Sequence, residues 1–107
     1  MEANEYQRLT QQTAVYPGTG YIPGLYYTLF GLVGEAGEIA NKYKKILRNE
    51  ENPYKHREDL IDELGDVLWY AAAFAKELGV PLSEVMERNI AKLAARKAAG
   101  TLKNREA

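Results

Sequence analysis

Apolar residues recur every three to four positions through most of this chain. Leu25, Leu29, Leu32, Val33, Ile39, Ala40, Tyr43, Ile46 and Leu47 form one such series. That period is the signature of a helix with one buried stripe, and it predicts a helix from about Leu25 to Arg48. Leu60, Ile61, Leu64, Val67, Leu68, Ala71, Phe74, Ala75 and Leu78 repeat the pattern. They predict a helix from about Arg57 to Leu78, with Gly79 placed where a helix is readily stopped. A further helix is expected from Leu82 to Ala98, with Met86, Ile90 and Leu93 turned inward and Gly100 ending it. A first helix from Asn4 to about Val15 puts Tyr6, Leu9 and Thr13 near one face. No pair of strands is visible, so the expected fold is all-α and four-helix bundle-like.

The connections are equally legible. Tyr16 to Gly24 holds two prolines and three glycines, which together end any helix. This loop carries Tyr16 and Tyr21, with Tyr26 and Tyr27 just after it. Such tyrosines can pack a loop against a bundle, or they can offer a flat ring to a nucleobase. Arg48 to Arg57 is a polar connection containing Pro53 and the only histidine, His56, to which no role is assigned. Residues 1–100 are expected to form one domain and Thr101 to Ala107 a polar tail.

The polar positions change the picture. Glu35 and Glu38 lie three apart on a flank of the second helix's stripe, together with Lys42. Glu63 and Asp66 lie three apart on the flank of the third, beside Asp59 and Tyr70. At about 100° per residue, an i, i+3 pair sits on one side of a helix. Two such helices laid antiparallel can aim four carboxylates into one gap. Confined carboxylates repel unless a cation lies between them, and Mg²⁺ among carboxylates points to phosphate chemistry. Gly31, Gly34 and Gly37 are costly within a helix. They imply the close approach of another helix or of a ligand. Trp69 projects away from the third helix's stripe, which suggests a subunit contact.

Composition mainly excludes. The chain has 107 residues and a net charge of −1, which gives no overall drive toward nucleic acid. No apolar run approaches the roughly 20 residues of a membrane span. The absence of cysteine removes disulfides and thiolate metal sites. An acidic, polar start, Met1 to Glu5, is unlike a signal peptide, so a cytoplasmic location is expected. A di-iron carboxylate bundle in its usual form needs E-x-x-H pairs, which are missing.

Glu35-x-x-Glu38, a gap of 24 residues and Glu63-x-x-Asp66 resemble the signature of MazG-like nucleotide pyrophosphohydrolases, in the all-α NTP pyrophosphatase superfamily. The flanking words Gly31-Leu32-Val33-Gly34 and Val67-Leu68-Trp69-Tyr70 fit as well. Asn89-Ile90-Ala91-Lys92-Leu93-Ala94-Ala95-Arg96 resembles the family's N-x-x-K-L-x-x-R word, and Tyr6-Gln7 to Pro17 resembles the start of small single-domain members. The likeness covers roughly residues 5–100 and implies a bundle completed by homo-oligomerisation, as a dimer or tetramer. It implies hydrolysis of a (deoxy)nucleoside triphosphate to monophosphate and pyrophosphate by water attack at the α-phosphate, removing non-canonical or surplus nucleotides. Glu35, Glu38, Glu63 and Asp66 would hold Mg²⁺, with Mn²⁺ as the alternative ion, and Glu38 is favoured over Glu35 as the base. Lys92 and Arg96 would neutralise phosphates and Asn89 would hydrogen-bond the nucleotide. Lys42, Lys45 and Tyr16 are weaker substrate contacts. The competing reading is a non-catalytic oligomeric helical protein that binds a metal or a partner.

Overall fold

The structure is a computed structural model that describes residues 1–103. Among the described residues it contains four α-helices, α1 (Ala3–Thr10), α2 (Ile22–Arg48), α3 (Arg57–Glu77) and α4 (Leu82–Ala98), with a 3-10 turn, Pro53–His56, before α3. The last four residues of the expected tail, 104–107, lie outside the described residues. Among the described residues no helix is long and apolar enough to cross a membrane.

Helices α2 and α3 form the central pair. Gly31 meets Tyr70, and Lys42 meets Asp59. Contacts that descend one helix as they climb the other define an antiparallel pair in a single register. The short connection required for that arrangement is pinned by Asn52, whose side chain accepts from the Tyr54 amide at 3.0 Å. His56 is tied to Glu51 at 3.1 Å. At the far end of α3, Gly79 adopts φ +78°, a left-handed conformation that glycine takes without a Cβ penalty. The chain thereby turns into α4.

Gln7 on α1 positions α4. Its amide donates to the carbonyls of Val80 (3.0 Å) and Ala72 (3.3 Å), and its carbonyl accepts from the Leu82 amide at 3.0 Å. The first amides of a helix have no partner within it. Gln7 supplies one where the residue before the helix, Pro81, cannot. Asn4 adds two bonds to Ser83, each near 3 Å. The buried core beneath these bonds is small: Ala72, Ala75 and Leu82, with Ala3, Tyr6 and Val80 packed against it.

Two helix boundaries differ from the sequence expectation. α1 stops at Thr10 because threonine hydroxyls capture the backbone, Thr10 on the Gln7 carbonyl and Thr13 on that of Thr10. Such local bonds compete with helix continuation. α2 begins at Ile22, three residues early, because Pro23 falls in the first turn, where a missing N–H costs nothing.

Burial differs more. Met86 and Ile90, expected to face inward, are 52% and 67% exposed, and Leu64, Leu68 and Val33 are open as well. The radius of gyration is 16.5 Å, against about 13 Å for a compact chain of this length. One copy of the chain does not cover its own apolar stripes.

Candidate functional site

The antiparallel register brings carboxylates from both central helices together. Oxygens of Glu35, Glu63 and Asp66 all lie within 4.8 Å of one another. Glu35 and Glu63 are half-buried and Asp66 is exposed. Burial holds the Glu35 carboxyl above its ordinary range, reinforced by the charges of Asp66, Glu63 and Glu38. Glu38 is therefore close enough to be felt, yet it is exposed and outside the three-oxygen group.

A shallow pocket of about 350 Å³ adjoins the acids, lined by Thr13, Glu35, Asp66, Trp69 and Tyr70. The Tyr70 ring packs so tightly on α2 that a Cβ on Gly31 would overlap it. That accounts for one of the three unusual glycines. At Gly34 and Gly37 a Cβ would meet nothing within 4 Å, so close approach within this chain does not explain them. Burial, then the neighbouring Tyr27, Glu35 and Asp66, push the Tyr70 hydroxyl's pKa upward.

Trp69 is not a free surface residue. The loop after α1 folds over that flank of α3, and the indole N–H donates to Thr13 Oγ1 at 2.9 Å. Tyr16, the base-stacking candidate, packs the loop against the bundle. It is 8% exposed, stacked on Tyr27 with centroids 5.3 Å apart and met edge-on by Trp69. Little of the ring is left open to a nucleotide. Its hydroxyl donates to Glu77 Oε1 at 2.6 Å, and the Gly20 amide donates to Glu77 Oε2 at 3.0 Å. The Glu77 side chain is only 1% exposed. Sequence reasoning passed over Glu77, although an acid in the last turn of a helix is unfavourable to the helix dipole and asks for a local reason.

Lys42, a candidate for phosphate, is committed elsewhere. Its ammonium lies 2.9 Å from Asp59 Oδ2 and 2.8 Å from Glu63 Oε1. These two acids raise its pKa above the usual lysine value. Asn89 and Lys92 line a separate groove of about 540 Å³ with Leu78, Val80, Glu84, Val85 and Arg88. Within one chain none of Glu35, Glu38, Glu63 and Asp66 lines that groove. Lys92 and Arg96 make no ion pair among the described residues.

The donor set suits a hard divalent cation. Ligand oxygens at about 2.1 Å from Mg²⁺ are at most about 4.2 Å apart, so a group already within 4.8 Å needs little closing. Three oxygens leave positions for water or phosphate, as Mg²⁺ prefers. A carboxylate cluster of this kind across a central helix pair could hold a divalent cation. The particular family follows from comparison: residues 26–100 match the family model of the MazG nucleotide pyrophosphohydrolase domain, and the chain belongs to that family. It is also 50% identical to the "Gene 37 protein" of Mycobacterium phage L5, over 95% of this chain and 94% of the phage protein. No solved structure gives a significant match.

Proposed function

We propose that the protein is a Mg²⁺-dependent nucleoside triphosphate pyrophosphohydrolase that converts (d)NTP to (d)NMP and pyrophosphate. The observation that carries this reading is the convergence of Glu35, Glu63 and Asp66 across the α2–α3 pair in a chain of the MazG family. Bound there, Mg²⁺ would offset charge on the phosphate oxygens and lower the pKa of a coordinated water. Cleavage at the α-phosphate needs a water aimed at phosphorus and a group to take its proton. Glu38 suits the second task, because it borders the cluster without belonging to the three-oxygen group. No serine, cysteine or histidine lies among the residues lining the acid pocket, which favours direct attack by water over a covalent intermediate. Lys92, Arg96 and Asn89 remain the proposed contacts to the nucleotide.

We also infer that the working form holds more than one chain. The accessible surface is 7896 Å², about 1,900 Å² above the roughly 6,000 Å² expected of a compact chain of 12.0 kDa. A standard interface covers about 800 Å² per partner, so the excess is large enough for one or two such contacts.

The test is pyrophosphate release from a panel of canonical and modified ribo- and deoxyribonucleoside triphosphates, with Mg²⁺ and with chelator. Turnover that needs Mg²⁺ and yields monophosphate is expected, and Glu38→Gln and Asp66→Asn should abolish it in folded protein. If folded protein binds Mg²⁺ but hydrolyses no nucleotide, the metal-binding-protein reading replaces this one.

A further inference from the structure

Lys42 sits where a cation site would least be expected to tolerate a positive charge. It reaches from α2 to α3 and lies between Asp59 and Glu63, which stand one helical turn apart. Both Asp59 oxygens are within reach, at 2.9 and 3.1 Å, whereas Glu63 is touched only at Oε1, at 2.8 Å. Glu63 Oε2 has no hydrogen bond or ion pair among the described residues. The lysine thus bridges Asp59, an acid outside the three-oxygen group, and Glu63, which it holds by one oxygen.

We propose that Lys42 is a positioning residue of the acid site: clamped by Asp59, it fixes the Glu63 carboxylate and leaves Oε2 to serve the divalent cation. Carboxylates that ligate metals are commonly oriented by a second hydrogen bond, and loss of such a partner typically lowers metal affinity 10–100-fold. A lysine held by two acids is also a poor phosphate ligand, since its donors are engaged. The inference rests on the acid site being a metal site, and it concerns a residue outside that cluster.

The sign of the effect separates this role from simple electrostatics. Removing a positive charge beside a cation site should tighten binding if charge alone matters. Removing a positioning group should weaken it. Mn²⁺ affinity of the full chain, read by electron paramagnetic resonance, tests the difference, with folding followed by circular dichroism. Lys42→Met is expected to bind Mn²⁺ about 10–100-fold more weakly, and Lys42→Arg, whose fork can bridge the same two acids, to recover most of the loss. Should Lys42→Met not fold, Lys42→Gln serves in its place with the same expected direction. Equal or tighter binding by the folded variant overturns the proposal. Glu35→Gln separates the two levels of reasoning. If wild-type protein binds no Mn²⁺, or Glu35→Gln binds it as well as wild type, the acid site itself fails and the role of Lys42 falls with it.

Discussion

Gly31 and Gly34 occupy the same face-forming stretch of α2, yet alanine should act on them in opposite directions. An alanine in a helix interior is about 0.5–1 kcal/mol more favourable than glycine, because the unfolded chain loses less freedom on folding. At Gly34 nothing lies within 4 Å of the added methyl, so Gly34→Ala should gain about that amount. At Gly31 the methyl would overlap the Tyr70 ring. The ring cannot swing away freely, because Trp69 packs edge-on against it with centroids 5.0 Å apart. Overpacking of this kind typically costs about 1–3 kcal/mol. After subtracting the helix gain, Gly31→Ala should be roughly 0–2.5 kcal/mol less stable than wild type, with a centre at about 1 kcal/mol.

The two variants should then differ by roughly 2 kcal/mol, which for a domain of this length is about 8 °C in melting temperature. Thermal unfolding at one fixed protein concentration measures it, since self-association would otherwise move the midpoint. Because Tyr70 lines the acid pocket, Gly31→Ala should also lower activity. A Gly31→Ala protein as stable as Gly34→Ala would refute the tight α2–α3 approach. A Gly34→Ala protein that is markedly destabilised would show that a second chain fills that space.

Two further outcomes are expected. Tyr16→Phe removes the 2.6 Å bond to the buried Glu77 carboxylate and should cost about 1–3 kcal/mol. Burial, with the Glu77 bond next, raises the Tyr16 pKa, so the folded chain keeps a proton that the unfolded chain sheds near pH 10. That contribution is fully present below pH 10 and is lost as pH rises beyond it, and Tyr16→Phe should show a flatter alkaline limb in its stability profile. An unchanged limb would mean that folding does not raise the Tyr16 pKa. Leu64, 60% exposed on α3, is expected to lie under a partner chain; light scattering should give the mass of more than one chain for wild type and a smaller mass for Leu64→Arg. A monomeric wild-type protein would leave the open apolar stripes without the proposed explanation.

Helix identities were legible in the sequence because each central helix carries a long apolar period, and α3 and α4 begin where expected. The carboxylate pairs were legible because their spacing is local to a helix. What escaped depended on distant contacts. Trp69 looks exposed on a helical projection and Tyr16 sits in a loop whose ring can pack or stay open; only the path of the loop after α1, drawn down by Glu77, buries Tyr16 and covers much of Trp69. Met86 and Ile90 read as inward-facing because an apolar stripe must be covered by something. The stripe is real, but the cover is not supplied within one chain.

The role of Lys42 shows how far register alone can carry a reading. Once Glu35 on α2 faces Asp66 on α3, the antiparallel arrangement fixes every other facing pair. Seven residues are two turns of helix, less about 20°. Two turns beyond Glu35 stands Lys42, and two turns before Asp66 stands Asp59, so these two must also face each other, as their 2.9 Å contact shows. Glu63 lies one turn from Asp59 toward the cluster, within the reach of the same ammonium. A lysine on the acid-bearing flank of α2 is therefore directed at α3 and its acids before any substrate arrives. Had the helices been parallel, Lys42 would have faced a different turn of α3. The orientation of the two helices thus supports the proposed role of Lys42 as a brace for Glu63.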